Sequence, residues 1–316
     1  MPSLRLSVAQ RLCRPLPPLA AQRLRSLLYP MQRAYQDARQ VSVRALTGSH
    51  LVTCTADFHG YPFAVHGYYE WRNWAIARAL CRPGDTIVEV GANVGTETVG
   101  FSDIVGPTGR VHAFEPLPAN VETLTRALAH IRYRNVAIHP CAVAASNCTM
   151  SFVPPPTKEA SGVGYLCLQG ATSVPQTVQV NCVTLDSLEP VLGGLRAIFV
   201  DVEGAELAVL QGARSVLAAS RAAVVLEASP ALQRRAGHSV GDLYSEVLAL
   251  GYEVWEISRF TLRRADPQRC LKSHNWLCLH TSQRHLAGRV HRYVLAAGLL
   301  PCVPGLGNPL CRGRVV

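Results

Sequence analysis

From residue 86 onward, short apolar runs alternate with stretches of helical length and pattern, and this rhythm constrains the fold more than any other feature. Residues 86–90, 110–114 and 136–139 fit buried strands, and 94–105 and 118–131 fit helices. Gly106-Pro107-Thr108-Gly109 reads as a turn, and Pro118 sits just inside a helix start. The rhythm resumes with 197–200 as a strand, 205–217 as a helix, 223–227 as a strand, 240–250 as a helix and 252–257 as a strand. A last strand, 275–280, follows a loop without a clear helix. Strands separated by helical crossovers form a parallel sheet covered on both faces. A strand reached without a crossover is antiparallel to the one before it. The expected class is α/β: a Rossmann-like seven-stranded sheet, mostly parallel, with an antiparallel last strand and helices on both faces.

The rest divides around that core. Residues 1–50 read as a basic helical extension, 51–83 as a lid or lead-in, 84–283 as the main domain with a β-rich insertion at 140–183, and 284–316 as a basic tail. Charge is segregated: residues 1–50 hold eight Arg against one acid and 258–316 hold ten Lys or Arg against one acid, so the middle carries net −6 of the chain's +10. Nucleic-acid enzymes line the catalytic face with cations; here the cations sit at the ends, and no nucleic-acid partner is expected. The ends suit solvated arms or peripheral membrane contact. The first 36 residues contain Arg but no acid, which fits an organelle-targeting segment or an amphipathic arm. No apolar run approaches the ~18–20 residues of a spanning helix, and a cytoplasmic location is expected. The 11 cysteines form no C-x-x-C pair, which argues against a zinc ribbon or disulfide framework, and no metal site is expected.

Three motifs carry the chemistry. Glu89-Val90-Gly91-Ala92-Asn93-Val94-Gly95 follows a strand and opens a helix. Its glycines permit a sharp bend and close approach to a ligand, and the acid at its head suits an ammonium. A dinucleotide site uses G-x-G-x-x-G with bare amides toward pyrophosphate. S-adenosylmethionine, with an ammonium and a sulfonium but no phosphate, is the better match. Glu115, in His112-Ala113-Phe114-Glu115-Pro116, ends the second strand, where an acid accepts hydrogen bonds from ribose hydroxyls. Ile198-Phe199-Val200-Asp201-Val202-Glu203-Gly204-Ala205-Glu206 ends the fourth strand, and ligands in open α/β sheets lie beyond such ends. Asp201 is therefore the leading acceptor-facing group, with Glu203 on the same side if the chain stays extended, and Glu206 as a first-turn charge.

These residues resemble the FkbM family of S-adenosylmethionine-dependent methyltransferases. The likeness rests on Val88 to Gly95, Ala113-Phe114-Glu115-Pro116, Val183-Thr184-Leu185-Asp186-Ser187-Leu188, Val200 to Glu206 with Leu210-Gln211-Gly212-Ala213, Leu226-Glu227 and Leu250-Gly251-Tyr252, over roughly residues 66–281. It implies a methyl-donor site lined by Glu89, Gly91, Ala92, Asn93, Gly95, Glu115, Pro116 and Asp201, with Ala142 and Val143 at the adenine edge. It also implies O-methylation of a hydroxyl on a small molecule, sugar or glycan. Phe199 stands where members often hold a Lys, and Val143-Ala144-Ala145-Ser146 replaces a Gly-Asp-like turn.

The catalytic candidates are Asp201, Glu203 and His238, with Glu227 as a further base and Arg234 and Arg235 as anion holders in the 229–239 loop. Tyr61, His66, Tyr68 and Tyr69 are candidates for an aromatic lid. The rival functions are an NAD(P)-dependent Rossmann oxidoreductase and a catalytically degenerate methyltransferase-fold scaffold.

Overall fold

The computed structural model describes residues 4–168, 176–270 and 272–311. Three helices, α1 (Leu4–Cys13), α2 (Pro18–Leu28) and α3 (Met31–Asp37), precede a hairpin of β1 (Gln40–Arg44) and β2 (His50–Cys54). Helices α4 (Gly60–His66) and α5 (Trp71–Leu80) lead into β3 (Thr86–Val90), α6 (Thr98–Val105), β4 (Arg110–Phe114), α7 (Pro118–Ala127) and β5 (Val136–His139). Then come the short strands β6 (Ala142–Val143), β7 (Cys148–Val153), β8 (Tyr165–Leu166) and β9 (Val178–Val183). The chain continues through β10 (Leu195–Val200), α8 (Glu206–Gln211), α9 (Arg214–Ser220), β11 (Ala223–Ala228), α10 (Pro230–Arg235), α11 (Val240–Ala249), β12 (Tyr252–Ile257), β13 (Leu262–Arg264), β14 (His274–His280) and α12 (Leu286–Leu299).

The central sheet runs β13-β12-β14-β11-β10-β3-β4-β5. Strands β5, β4, β3, β10 and β11 are parallel, and β14 inserts antiparallel to both β11 and β12. All seven expected strands are present. The eighth, β13, folds back from β12 through a turn in which the Ser258 hydroxyl meets both the carbonyl and the hydroxyl of Thr261. Three residues with two arginines at a sheet edge carry no periodic signal, so the sequence did not show it.

Alternate residues of each central strand feed opposite cores, the period-two rule of an extended chain. Ile87, Phe199, Val225 and Leu277 pack with α5, α6 and α12, while Val88, Ile198, Val224 and Cys278 pack with α8, α9 and α11. Because both faces are covered, the strands read as continuous apolar runs.

Four peripheral expectations are corrected. The 57–69 stretch, within the expected lid or lead-in, holds the packed helix α4: Asp57 Oδ1 accepts from the amides of His59 (2.9 Å) and Gly60 (2.7 Å), satisfying a helix start. The basic extension at 1–50 ends in a hairpin whose second strand runs past residue 50. Its helices are not a free arm, since Leu6, Ala9, Cys13 and Tyr29 are buried against Tyr61 and Val65. The C-terminal tail contains α12, whose Val290, Val294 and Ala297 are fully buried in the main core. The 205–217 helix breaks at Gly212, where a Cβ would stand 2.1 Å from the Ala144 carbonyl oxygen, so the second sheet presses on the helix there. Among the described residues, no helix is long and apolar enough to cross a membrane.

The β-rich interruption at 140–183 forms its own four-stranded sheet in the order β6-β9-β7-β8. Part of that stretch lies outside the described residues. The sheet stands beside the ends of β3 and β4, where it walls the site described next.

Candidate functional site

The carboxyl ends of β3, β4, β10 and β11 converge on two adjoining cavities. After β3 the chain bends at Gly91, with φ +92°. The amides of Gly91 and Ala92 both donate to the Phe114 carbonyl, at 3.0 and 2.9 Å, tying this bend to the end of β4. A Cβ on Gly91 would lie 1.9 Å from the Asp201 carbonyl oxygen, so the loops after β3 and β10 touch where only glycine fits. Asn93, at φ +47°, donates its amide to Glu115 Oε2 at 3.0 Å.

The smaller cavity, about 50 Å³, has apolar walls including Phe114, Ala142, Val143, Phe152 and Leu166, and the carboxylates of Glu115 and Asp201 on its lining. Glu115 Oε1 accepts from the Leu117 amide (2.9 Å) and from Asn120 Nδ2 (3.4 Å). The carboxylate is thus fixed from below, and burial pushes its pKa up to about 7.

The larger cavity, about 240 Å³, draws on distant segments: Phe58, His59, Tyr69, Glu70 and Asn73; Glu89 and Glu97; Phe199, Asp201 and Glu203; Glu227; and Asn275. Val90, Gly91, Asn93, Gly162 and Asp201 border both cavities. Among the described residues, the larger cavity is lined by six carboxyl groups and by no Lys or Arg. Burial pushes Glu89 up to about 8, and burial with the charges of Asp201, Glu206 and Glu203 pushes Glu227 up to about 8. Glu203 rises to about 7 through burial and Asp201, against the pull of Arg235. Asp201 stands out into the cavity, yet its protein surroundings raise its pKa, and His59 opposes that rise. Burial lowers the pKa of His59, opposed by Asp57 and Asp201. One oxygen of Glu89, Oε2, is buried without a hydrogen-bond partner. Glu97 stands at the N-cap of α6, so an acid occupies the helix start that a phosphate would need.

His59 Nδ1 lies 3.0 Å from Asn93 Nδ2, while Asn93 Oδ1 has no partner. Turning the amide over lets His59 Nδ1–H donate to Oδ1 and leaves Nε2 as the free lone pair. A Cβ on Gly162 would meet His59 Cε1 at 2.2 Å, so glycine there admits the ring. Asp57 joins the two walls: its Oδ2 accepts from Ser161 Oγ at 2.6 Å.

Most sequence candidates meet here. Glu89, Gly91, Ala92, Asn93, Asp201 and Glu203 line the larger cavity; Glu115, Pro116, Ala142 and Val143 line the smaller one. Gly95 lines neither: its φ is +84°, and a Cβ would press on Leu124 at 2.7 Å, so it serves the packing of α7. His238 lines neither: much of the 229–239 segment is helix α10, and His238 sits in the turn after it, where its amide donates to the Gln233 carbonyl. Arg235 is engaged with Glu203 (3.7 Å) and stacks on Tyr165 (3.7 Å), so it is not free to hold an anion. Of the proposed lid only Tyr69 reaches the cavity. Tyr61 and Tyr68 are buried, and His66, held down to about 3 by burial and by Arg25 and Arg14, lies in the interior. Glu206, read as a first-turn charge, is fully buried. It accepts from the Gly204 amide (3.2 Å) and Gln233 Nε2 (2.6 Å), shaping the loop after Asp201.

His59, Asn73, Glu97, Gly162 and Asn275 escaped the sequence reading. One signal existed: Asp57 three residues before Gly60, with Pro62 in the first turn, marks a helix start. Asp201, Glu203 and Glu227 also bring ligand oxygens within 4.8 Å of one another, the set that could hold a divalent cation although no metal site was expected.

The sheet order and this strand-end site define a methyltransferase-fold protein. The description Methyltransferase FkbM domain matches residues 89–254, just over half of the chain, and the chain belongs to the FkbM methyltransferase family. A protein-L-isoaspartate O-methyltransferase from Methanothrix thermoacetophila is 39% identical over 57 residues, covering 18% of this chain and 27% of that protein. Among solved structures, the FkbM methyltransferase from Methylobacillus flagellatus KT is similar at 15% identity and TM-score 0.42, covering 86% of this chain and 58% of that one. Aeropyrum pernix fibrillarin with natively bound S-adenosyl-L-methionine is similar at 14% identity and TM-score 0.36, covering 66% and 76%. The chain thus spans about a quarter of the curated relative and under two thirds of the first solved one.

Proposed function

We propose that the chain is an S-adenosylmethionine-dependent methyltransferase acting on a hydroxyl of a small molecule, sugar or glycan. The observation that carries this reading is the junction of an apolar slot based on Glu115 with a carboxylate-lined cavity, meeting at Gly91, Asn93 and Asp201. The residues suit the donor. The slot accepts a flat base between Phe114, Ala142, Val143 and Phe152, Glu115 accepts from a ribose diol, and the unpartnered Oε2 of Glu89 accepts from an ammonium. Bound there, S-adenosylmethionine supplies a methyl group already made electrophilic by its sulfonium. A dinucleotide fits poorly, because Glu97 occupies the helix start and, among the described residues, no Lys or Arg lines the cavity to meet pyrophosphate.

The chain's own work is then to orient the acceptor hydroxyl and take its proton. In this reading Asp201 holds that hydroxyl and His59, whose pKa burial lowers, receives the proton at Nε2; both line the larger cavity. A base within hydrogen-bond reach contributes ~10²–10⁴-fold, and alignment contributes more. The test is a thermal-shift comparison of S-adenosylhomocysteine with NADH on the same protein. Stabilisation by the first alone is expected; stabilisation by NADH alone would transfer the site to the oxidoreductase reading.

A further inference from the structure

A second open groove of about 690 Å³ adjoins the acidic cavity and shares Glu70 and Asn275 with it. Its charge balance tilts the other way, with arginines outnumbering carboxylates. Arg72, Arg259 and Arg263 line it beside two carboxylates, Glu70 and Glu256, of which Glu256 faces Arg263 across the strand pair and lies 3.4 Å from His274, whereas among the described residues the cavity itself has six carboxyl groups and no Lys or Arg. Neighbouring arginines on the same segment are neutralised: Arg264 pairs with Glu253 at 2.7 Å, Arg269 with Asp266 at 3.3 Å and Arg284 with Glu253 at 4.0 Å. Among the described residues, the three groove arginines have neither an ion pair nor a side-chain hydrogen bond. Arg72 is half-buried, lies over the Trp71 ring at 4.4 Å, and feels both the attraction of Glu70 and the repulsion of Arg259. Guanidinium groups that line one groove without an ion pair favour a planar or tetrahedral oxyanion, which they bind through paired N–H donors.

The groove is built, not a chance surface. The turn that carries Arg259 and Arg263 is anchored on α12, where the Leu262 amide donates to His291 Nδ1 at 3.3 Å. Gly298 of that helix leaves just enough room for Phe260 and Trp71, each 3.1 Å from where its Cβ would be. Part of the cationic C-terminal segment thus acquires a place beside the catalytic cavity.

We propose that this groove is an acceptor subsite for an oxyanion (a carboxylate, or a sulfate or phosphate ester) on a molecule whose hydroxyl reaches the cavity past Glu70 and Asn275. Its name as an acceptor subsite rests on the methyl-transfer reading of the cavity; its oxyanion binding does not. The acidic cavity and the basic groove together select an extended acceptor with its anionic group set apart from the methylated hydroxyl.

The experiment follows the arginine Nε–Hε NMR signals of the full chain, with and without S-adenosylhomocysteine, during titration with sodium sulfate and, separately, sodium acetate at constant ionic strength. Saturable shifts of Arg72, Arg259 and Arg263 are expected with at least one anion. Their apparent affinity should exceed that at the exposed Arg126 by about fivefold or more, a difference of about 1 kcal/mol. A preference for sulfate identifies a sulfate or phosphate ester; a preference for acetate identifies a carboxylate. The double variant Arg259→Ser/Arg263→Ser should lose the saturable response at Arg72 and keep its S-adenosylhomocysteine affinity within about twofold. Uniform, unsaturable shifts across all exposed arginines, or an unchanged Arg72 response in the double variant, would overturn the subsite. Failure to bind S-adenosylhomocysteine with the anion response intact would instead overturn the methyl-transfer reading alone.

Discussion

The two cavities differ in how the chain assembles them. The small apolar slot is built mainly by the bend after β3, the end of β4, and the second sheet, with Glu115 clamped by three donors. The larger cavity takes side chains from residues as far apart as Phe58 and Asn275, and its carboxyl groups are pushed toward their protonated forms. The first has its Glu115 carboxylate already met by protein donors. The second gathers six carboxyl groups, so a bound cation would favour their ionised forms and release protons.

The sharpest way to break this contrast is at the contact that joins the cavities. Gly91→Ala puts a methyl group 1.9 Å from the Asp201 carbonyl oxygen at a positive φ. It should destabilise the protein by roughly 1–3 kcal/mol and weaken S-adenosylhomocysteine binding at least ~100-fold, read by denaturant melts and calorimetry. Unchanged affinity would separate the two cavities. Next in size are Asp201→Asn and His59→Ala. Each should lower turnover by about tenfold or more while leaving donor affinity within several-fold. If either variant keeps turnover within threefold of wild type, about 0.65 kcal/mol, that residue leaves the proposed chemistry.

Protons give a smaller but more general effect. The carboxyl groups of Glu89 and Glu115 have folded pKa values of about 8 and about 7, above the ~4.3 of an unfolded glutamate. A raised folded pKa means stability that is fully present below the unfolded value and lost as pH climbs through the folded one. The ligand-free protein should therefore lose stability between about pH 4.5 and 8. S-adenosylhomocysteine affinity should rise over pH 6–8 with release of protons, since its ammonium favours ionised Glu89. Calorimetry in two buffers of different ionisation enthalpy measures that release; proton uptake would reverse the assignment of Glu89. The smallest effect belongs to His238→Ala, which should change turnover less than about twofold because the ring lies outside both cavities.

The same contrast explains what the sequence made legible. Glu89, Gly91, Asn93 and Glu115 lie at strand ends whose apolar runs announce themselves, and the position of a strand end fixes which way it opens. The seven principal strands were readable for the same reason. His59, Asn73 and Asn275 occupy a helix N-cap, a helix and an inserted strand that reach the cavity only through tertiary packing, which no local period reports. His238 misled because its segment was read as a loop, although Pro230 and Gln233 belong to a helix that turns it aside. Phe199, the residue that departs from the family's Lys, proves informative: it stacks on Phe101 at 4.3 Å and lines the cavity, leaving the wall without a cation.

A crystal structure of the full chain with S-adenosylhomocysteine tests the central claim most directly. The adenine should lie between Phe114, Val143 and Phe152, the ribose hydroxyls on Glu115, and the amino group within hydrogen-bond reach of Glu89. A nucleoside lodged elsewhere, or an amino group directed away from Glu89, would contradict it.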